Sequence, residues 1–161
     1  MKAAIITAST LGYQGFAEDG SGPVIKRMAE KVGFEVTFMK VLPDDRKVLS
    51  SIMEKLADGG FVDIIFTTGG VGLGEKDVIP EATQDVLDRE LSGIPEAMRA
   101  YSIRYTKRAI LDRCKAGIRK KTLIVNFPAS PKHVNQCLDY IMPELVYTVE
   151  VLTGAMEEVR E

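Results

Sequence analysis

Histidine, cysteine and tryptophan are almost missing from this chain, which has one His, two Cys and no Trp. The three metal-seeking side chains are His133, Cys114 and Cys137, too few for a closed structural zinc site. No CxxC occurs, which excludes thioredoxin-like redox chemistry. Two unclustered cysteines suit a reducing cytosol, so the expected location is cytoplasmic. A Ser-His-Asp or Cys-His mechanism would have only His133 to use, and a lone His in a first helical turn reads as a surface residue with no role. No sign of charge dominates either: 21 Lys+Arg stand against 23 Asp+Glu. That balance leaves no electrostatic footprint for nucleic acid. The one basic cluster, Arg119-Lys120-Lys121, reads as a hairpin turn with solvated charges. No apolar run approaches the roughly 20 residues of a membrane span, so no membrane partner is expected. Met1–Thr10 lacks a cleavage pattern and reads as a strand, not a signal peptide.

What is present is an ordinary globular composition, 45% hydrophobic and 27% charged over 161 residues. A chain of about 150 residues buries about 68–70% of its unfolded surface, so residues 1–161 are expected to form a single domain. Ala3–Ala8 is short, apolar and partly β-branched, which predicts a buried strand. Ser9–Ser21 reads as a loop. Gly22-Pro23 open a helix with Asp19 or Ser21 as cap, and Ile25, Met28, Ala29 and Val32 form its apolar stripe up to Gly33. Glu35–Val41 is a second strand. A helix then starts at Pro43-Asp44-Asp45, with Leu49, Ile52, Met53 and Leu56 inside, and stops at Gly59-Gly60. Phe61–Phe66 is a third strand, and Thr67–Ile79 a long Gly-rich loop. Pro80 begins a helix, where its missing N–H costs nothing, and another begins near Pro95. Gly117–Arg119 and Thr122–Phe127 form a hairpin. Pro131 opens the last helix, which Pro143 is expected to interrupt and restart. This alternation predicts an α/β fold: a three-layer αβα sandwich with a mostly parallel sheet plus one antiparallel strand.

Ligands of open α/β sheets bind beyond the carboxyl ends of the strands. The loops Ser9–Ser21, Thr67–Ile79 and Phe127–Lys132, with Pro43-Asp44, all leave such ends. Four glycines lie within residues 69–74. Such a segment exposes backbone N–H groups to phosphate oxygens, or is simply a surface turn. It is neither a P-loop nor a GxGxxG fingerprint. Asp77 and Asp44 each precede a helix. Each is therefore either a cap or a carboxylate holding Mg²⁺ against phosphate. Ser130 and Lys132 flank Pro131 at a helix start, which reads as a cap or as an anion site.

These segments resemble the MogA/MoaB family of molybdenum cofactor biosynthesis proteins. TTGGVGLGEKDVIPEAT, residues 67–83, is similar to the family's TTGGTG…DVTPEAT. AEDGSGP (17–23), VLPDD (41–45) and NFPASPK (126–132) resemble its D-x-S-G-P, Pro-Asp and NLPGSPK. The resemblance implies a MoaB/Mog-like domain, a homotrimer or hexamer, and adenylylation of molybdopterin by Mg²⁺-ATP. It implies functional roles for Asp44 and Asp77, as catalytic groups and metal ligands. It also implies substrate or phosphate contacts at Ser9, Gly69, Gly70, Gly72, Ser130 and Lys132. Four positions depart from the family pattern. Thr10 stands for Asp, Val71 and Ile79 for Thr, and Ala129 for Gly. Val71 and Ile79 are expected to face the ligand. Two rival readings stand beside adenylylation: a non-catalytic pterin- or nucleotide-binding carrier or scaffold, and a Mg²⁺-dependent nucleotide pyrophosphatase.

Overall fold

A computed structural model describes residues 1–157. The strands are β1 (Lys2–Ala8), β2 (Glu35–Leu42), β3 (Ile64–Thr68), β4 (Arg89–Glu90), β5 (Ala116–Arg119) and β6 (Thr122–Phe127). They form one six-stranded sheet in the order β2-β1-β3-β6-β5-β4. β2, β1, β3 and β6 are parallel, while β5 pairs antiparallel with both β6 and β4. Among the described residues β5 alone runs against the rest, which is the expected mixture. β3 and β6 are buried along their whole length, so they read as continuous apolar runs with little alternation.

The helices are α1 (Thr10–Tyr13), α2 (Ser21–Lys31), α3 (Arg46–Asp58), α4 (Ile79–Val86), α5 (Gly93–Ser102) and α6 (Pro131–Thr153), with a 3-10 turn at Lys107–Leu111. α2, α5 and α6 pack together on one side, while α3 and α4 pack as a pair. Between them Ile5, Ile6, Ile64, Phe66, Ile124 and Phe127 are fully buried. The Phe66 ring meets Phe34 edge-on and Phe127 at a tilt, each 6.0 Å between centroids.

Several boundaries differ from the sequence reading, each for a local reason. The expected loop Ser9–Ser21 contains the one-turn helix α1. Ser9 is extended and its hydroxyl accepts from Gly12 N–H at 3.0 Å, which closes the turn. The expected strand Phe61–Phe66 begins three residues later. Phe61 is exposed, and the Asp63 carboxylate accepts from Lys2 N–H at 2.7 Å before the ladder starts. α6 runs through Pro143 without a break. The ring removes one helical hydrogen bond, but Ile141, Met142, Leu145 and Val149 keep a buried stripe on both sides of it. β4 and the 3-10 turn were not foreseen. The Lys120-Lys121 turn is present, with Lys120 in the left-handed region at φ +52°.

His133 is half-buried, not a free surface residue: its Nε2 lies 2.9 Å from Ser102 Oγ. Burial pushes the thiols of Cys114 and Cys137 up, Cys114 with help from the nearby Asp112 carboxylate, so neither supplies a thiolate at neutral pH.

Candidate functional site

The carboxyl ends of β1, β2, β3 and β6 open onto a cavity of about 570 Å³. Its walls come from four segments distant in sequence: most of residues 7–21, Val41 and Asp44, Thr68, Gly69 and Gly70 with Lys76 and Asp77, and Ala129. Buried hydrogen bonds tie these walls to the sheet. Thr68 Oγ1 donates to Pro128 O at 2.6 Å, joining the end of β3 to the loop after β6. The Asn126 amide donates to Thr67 Oγ1 and Thr83 Oγ1, both at 2.9 Å, and accepts from Lys115 N–H. The Ser21 hydroxyl donates to Ala129 O.

Three aspartates reach the cavity, and their hydrogen bonds separate their roles. Asp19 is saturated. One oxygen accepts from Thr7 Oγ1 at 2.9 Å, and the other from the N–H groups of Ser21 and Gly22, so it serves the start of α2. Asp44 does not cap α3. That work falls to Asp45, which accepts from Val48 N–H at 3.0 Å. Asp44 Oδ2 accepts instead from Thr10 N–H (2.9 Å) and Thr10 Oγ1 (3.0 Å), and the same hydroxyl accepts from Asp44 N–H. Asp77 does not cap α4 either. Its Oδ2 accepts from Gly74 N–H at 2.8 Å, and Asp77 N–H donates back to Gly74 O. A Cβ on Gly72 or Gly74 would stand 2.9 Å from that carboxylate oxygen, so the loop is glycine-rich where Asp77 folds over it. Asp44 and Asp77 thus each hold one oxygen fixed. Their Oδ1 atoms take no hydrogen bond from the described residues.

Ser9, Asp44, Gly69, Gly70 and Asp77 are brought together on this cavity. Gly72, Ser130 and Lys132 lie outside its lining. Gly72 turns to a neighbouring cleft shared with Leu73, Leu111 and Pro128. Ser130 caps α6, accepting from His133 N–H at 3.4 Å. Lys132 is exposed in the first turn of α6. The cation at the cavity is Lys76, which sequence reasoning passed over although it sits beside Asp77. Glu18 and Asp19 were also missed as lining groups, although the AEDGSGP segment contains both.

Two of the four departures change meaning. Val71 is 6% exposed and Ile79 not at all, so neither faces a ligand as expected; both pack into the core. The chain crosses the cavity at Gly69-Gly70 and then turns inward. Thr10 spends its hydroxyl on Asp44, as described above.

Gly69 has a strict requirement for its lack of a side chain. Its φ is +83°, and a Cβ there would stand 2.6 Å from Ala8 O, a backbone atom of β1 that cannot step aside. The left-handed backbone alone costs a side-chain-bearing residue about 1–2 kcal/mol. Gly69→Ala is therefore expected to lower the melting temperature by about 5–10 °C, at about 2–4 °C per kcal/mol for a chain of this size. A thermal melt within a degree or two of the wild type would show that β1 and the loop are not in this contact.

Comparison with known proteins identifies the family and agrees with the fold. The family described as "Probable molybdopterin binding domain" matches residues 4–147. The molybdopterin adenylyltransferase of Helicobacter pylori strain 26695 is 34% identical over 159 residues, covering 98% of this chain and 90% of its own. The crystal structure of the molybdopterin biosynthesis enzyme MoaB from Thermus thermophilus superposes with a TM-score of 0.87 at 36% identity, covering 95% of this chain and 96% of that one. The tungsten cofactor synthesizing protein MoaB from Pyrococcus furiosus gives a TM-score of 0.81 at 33% identity, with 97% of both chains covered. With a match across most of its length and relatives spanning nearly all of it, the chain belongs to the MogA/MoaB family of molybdenum cofactor biosynthesis proteins.

Proposed function

We propose that this protein adenylylates molybdopterin, using ATP and Mg²⁺, as a single domain in the cytoplasm. The observation that carries the reading is the pair of half-committed carboxylates, Asp44 and Asp77, on one cavity at the carboxyl edge of the sheet. The name of the Helicobacter relative supplies the chemistry. A terminal phosphate oxygen of the pterin attacks the α-phosphorus of ATP, the bond to the β-phosphate bridging oxygen breaks, and pyrophosphate leaves. An attacking phosphate carries no proton that must be removed, which suits a cavity without histidine. Transfer of this kind depends on positioning and charge neutralisation more than on a covalent nucleophile.

The donor set fits Mg²⁺ arriving with a nucleotide. Among the described residues no group of three His, Cys, Asp or Glu side chains forms a dedicated metal cage. Mg²⁺ is commonly held by one or two carboxylates together with substrate phosphates. Asp44 and Asp77 would hold it through their free oxygens, and when bound it supplies charge neutralisation at the phosphoryl group under attack. Gly69 and Gly70 let the backbone approach a phosphate closely, and Lys76 adds a positive charge at the rim.

The test is incubation with molybdopterin, ATP and Mg²⁺, reading pyrophosphate and adenylylated pterin together. Both products are expected in equal amounts. Pterin binding without product would replace this reading with a carrier. Nucleotide cleavage without pterin would replace it with a pyrophosphatase.

We further propose a homotrimer or a hexamer built from it. The support is a chain segment after α5 rich in exposed apolar side chains, Ile103, Tyr105, Ile110 and Leu111, with Leu73 sharing a cleft with Leu111. A net charge of −2 offers little repulsion against it. Sedimentation at micromolar concentration is expected to show three or six copies; a monomer there would reject the assembly.

Among the described residues no helix is long and apolar enough to cross a membrane.

A further inference from the structure

A second cleft, of about 520 Å³, has Arg46, Arg99, Arg113 and Lys115 among its lining residues. Its charges are not free for an anion. Arg46 pairs with Asp85, Arg99 with Asp112 and Lys115 with Glu90. Arg113 differs from the other three, because most of its hydrogen bonds go to the backbone of the Gly-rich loop. Its own N–H donates to Val71 O at 2.9 Å. Its Nε donates to Gly72 O at 2.8 Å, and its Nη2 to Asp77 O at 2.6 Å. Its Nη1 pairs with Glu81 in the first turn of α4. That guanidinium holds the Glu81 carboxyl below its usual range.

One planar fork therefore holds both ends of the segment 72–77. The same segment is closed by the bond between Gly74 N–H and the carboxylate of Asp77, which lines the cavity. We propose that Arg113 is a positioning residue of the site: by clasping Gly72 O and Asp77 O from outside the cavity lining, it fixes where the Asp77 carboxylate stands in the cavity. It lines no part of the cavity itself. The role suits arginine and not lysine. The guanidinium has five donors in a rigid plane, whereas an ammonium is a point charge on a flexible stem. A displacement of about 1 Å at a reacting group can cost about a hundredfold in rate, so a loosened loop should be felt at the chemistry. The inference rests on the adenylyl-transfer reading for its kinetic arm only.

The test compares wild type, Arg113→Met, Arg113→Lys and Arg46→Met. Arg46→Met removes a cation from the same cleft that bonds to α4 and not to the loop. Two readouts are taken: turnover with molybdopterin, ATP and Mg²⁺, and amide hydrogen exchange along the chain. In Arg113→Met, kcat is expected to fall about tenfold to a hundredfold, and the Mg²⁺ concentration for half-maximal rate to rise. Exchange is expected to accelerate across residues 71–78 while β1, β3 and β6 stay protected. Arg113→Lys should show a smaller version of both effects, and Arg46→Met neither. Unchanged turnover and unchanged exchange in Arg113→Met would overturn the proposal. So would slow turnover with unchanged exchange at 71–78, since Arg113 would then act by some other route. If Arg113→Met does not fold, Arg113→Lys decides by the same criteria. If wild type shows no adenylyl transfer, the function reading fails, and the exchange experiment alone supports or overturns the clasp.

Discussion

Asp44→Asn and Asp77→Asn are each expected to reduce the proposed Mg²⁺-dependent adenylyl transfer by about a hundredfold or more, the scale of losing a group that stabilises charge in the transition state. Both variants are expected to keep melting temperatures within a few degrees of wild type. The reasoning lies in how each carboxylate divides its two oxygens. An asparagine at 77 can still accept from Gly74 N–H through its amide oxygen, and one at 44 can still accept both Thr10 donors. The shape and the local bonds survive; what disappears is the negative charge and the free oxygen facing the cavity. Weakening a bond to a charged acceptor costs about 1 kcal/mol, which for a chain of this length is a few degrees. Neither residue caps a helix, so no helix is lost with the charge. Full turnover in either variant would reduce that aspartate to a support for its loop. A large drop in melting temperature would show that its charge, not only its geometry, holds the fold.

The α/β architecture was legible because period and punctuation agree along most of the chain. Ile25, Met28, Ala29 and Val32 repeat at helical spacing, the strand segments are short and apolar, and Gly33 and Gly59-Gly60 stop the helices. Asp44 and Asp77 were legible as candidates because carboxylates beside strand ends and a Gly-rich loop are a small set. Whether each caps a helix was not legible. Asp44 and Asp45 are adjacent and chemically identical, and only the backbone decides that Asp45 takes the Val48 N–H while Asp44 turns to Thr10. Lys132 drew attention because it follows a Ser-Pro at a helix start, yet the cavity places Lys76 there instead. Arg113 left no local signal at all. Its partners Gly72, Asp77 and Glu81 lie 41, 36 and 32 residues away. Pro143 misled for the opposite reason: a strong local rule was overridden by burial on both sides of the ring.

The loop residues Val71 and Ile79 show most clearly where pattern reading runs out, and they carry the second large expected effect. Loops have no period, so nothing in the sequence says which of their side chains point inward. Family resemblance suggested hydroxyls facing a ligand at both places. Instead Ile79 is fully buried at the first residue of α4, and Val71 nearly so. Ile79→Thr removes apolar bulk worth about 0.8 kcal/mol per buried methylene. It also introduces a hydroxyl whose burial without a partner costs about 1–3 kcal/mol. The expected destabilisation is about 2–4 kcal/mol, which lowers the melting temperature by about 4–16 °C at about 2–4 °C per kcal/mol. Val71→Thr changes shape very little, so only the hydroxyl cost remains, about 1–3 kcal/mol. The two sites lie at opposite ends of one loop, which the hydrogen bond from Ile79 N–H to the O of Gly70, the residue before Val71, closes. Their effects in the double variant should therefore depart from a simple sum. Pterin and ATP affinity, measured below the lowered transition, should stay within about threefold of wild type, a change of less than about 0.7 kcal/mol. A double variant that melts like wild type and binds ligand more tightly would put both side chains on the cavity wall. It would then restore the reading in which hydroxyls at 71 and 79 face the substrate.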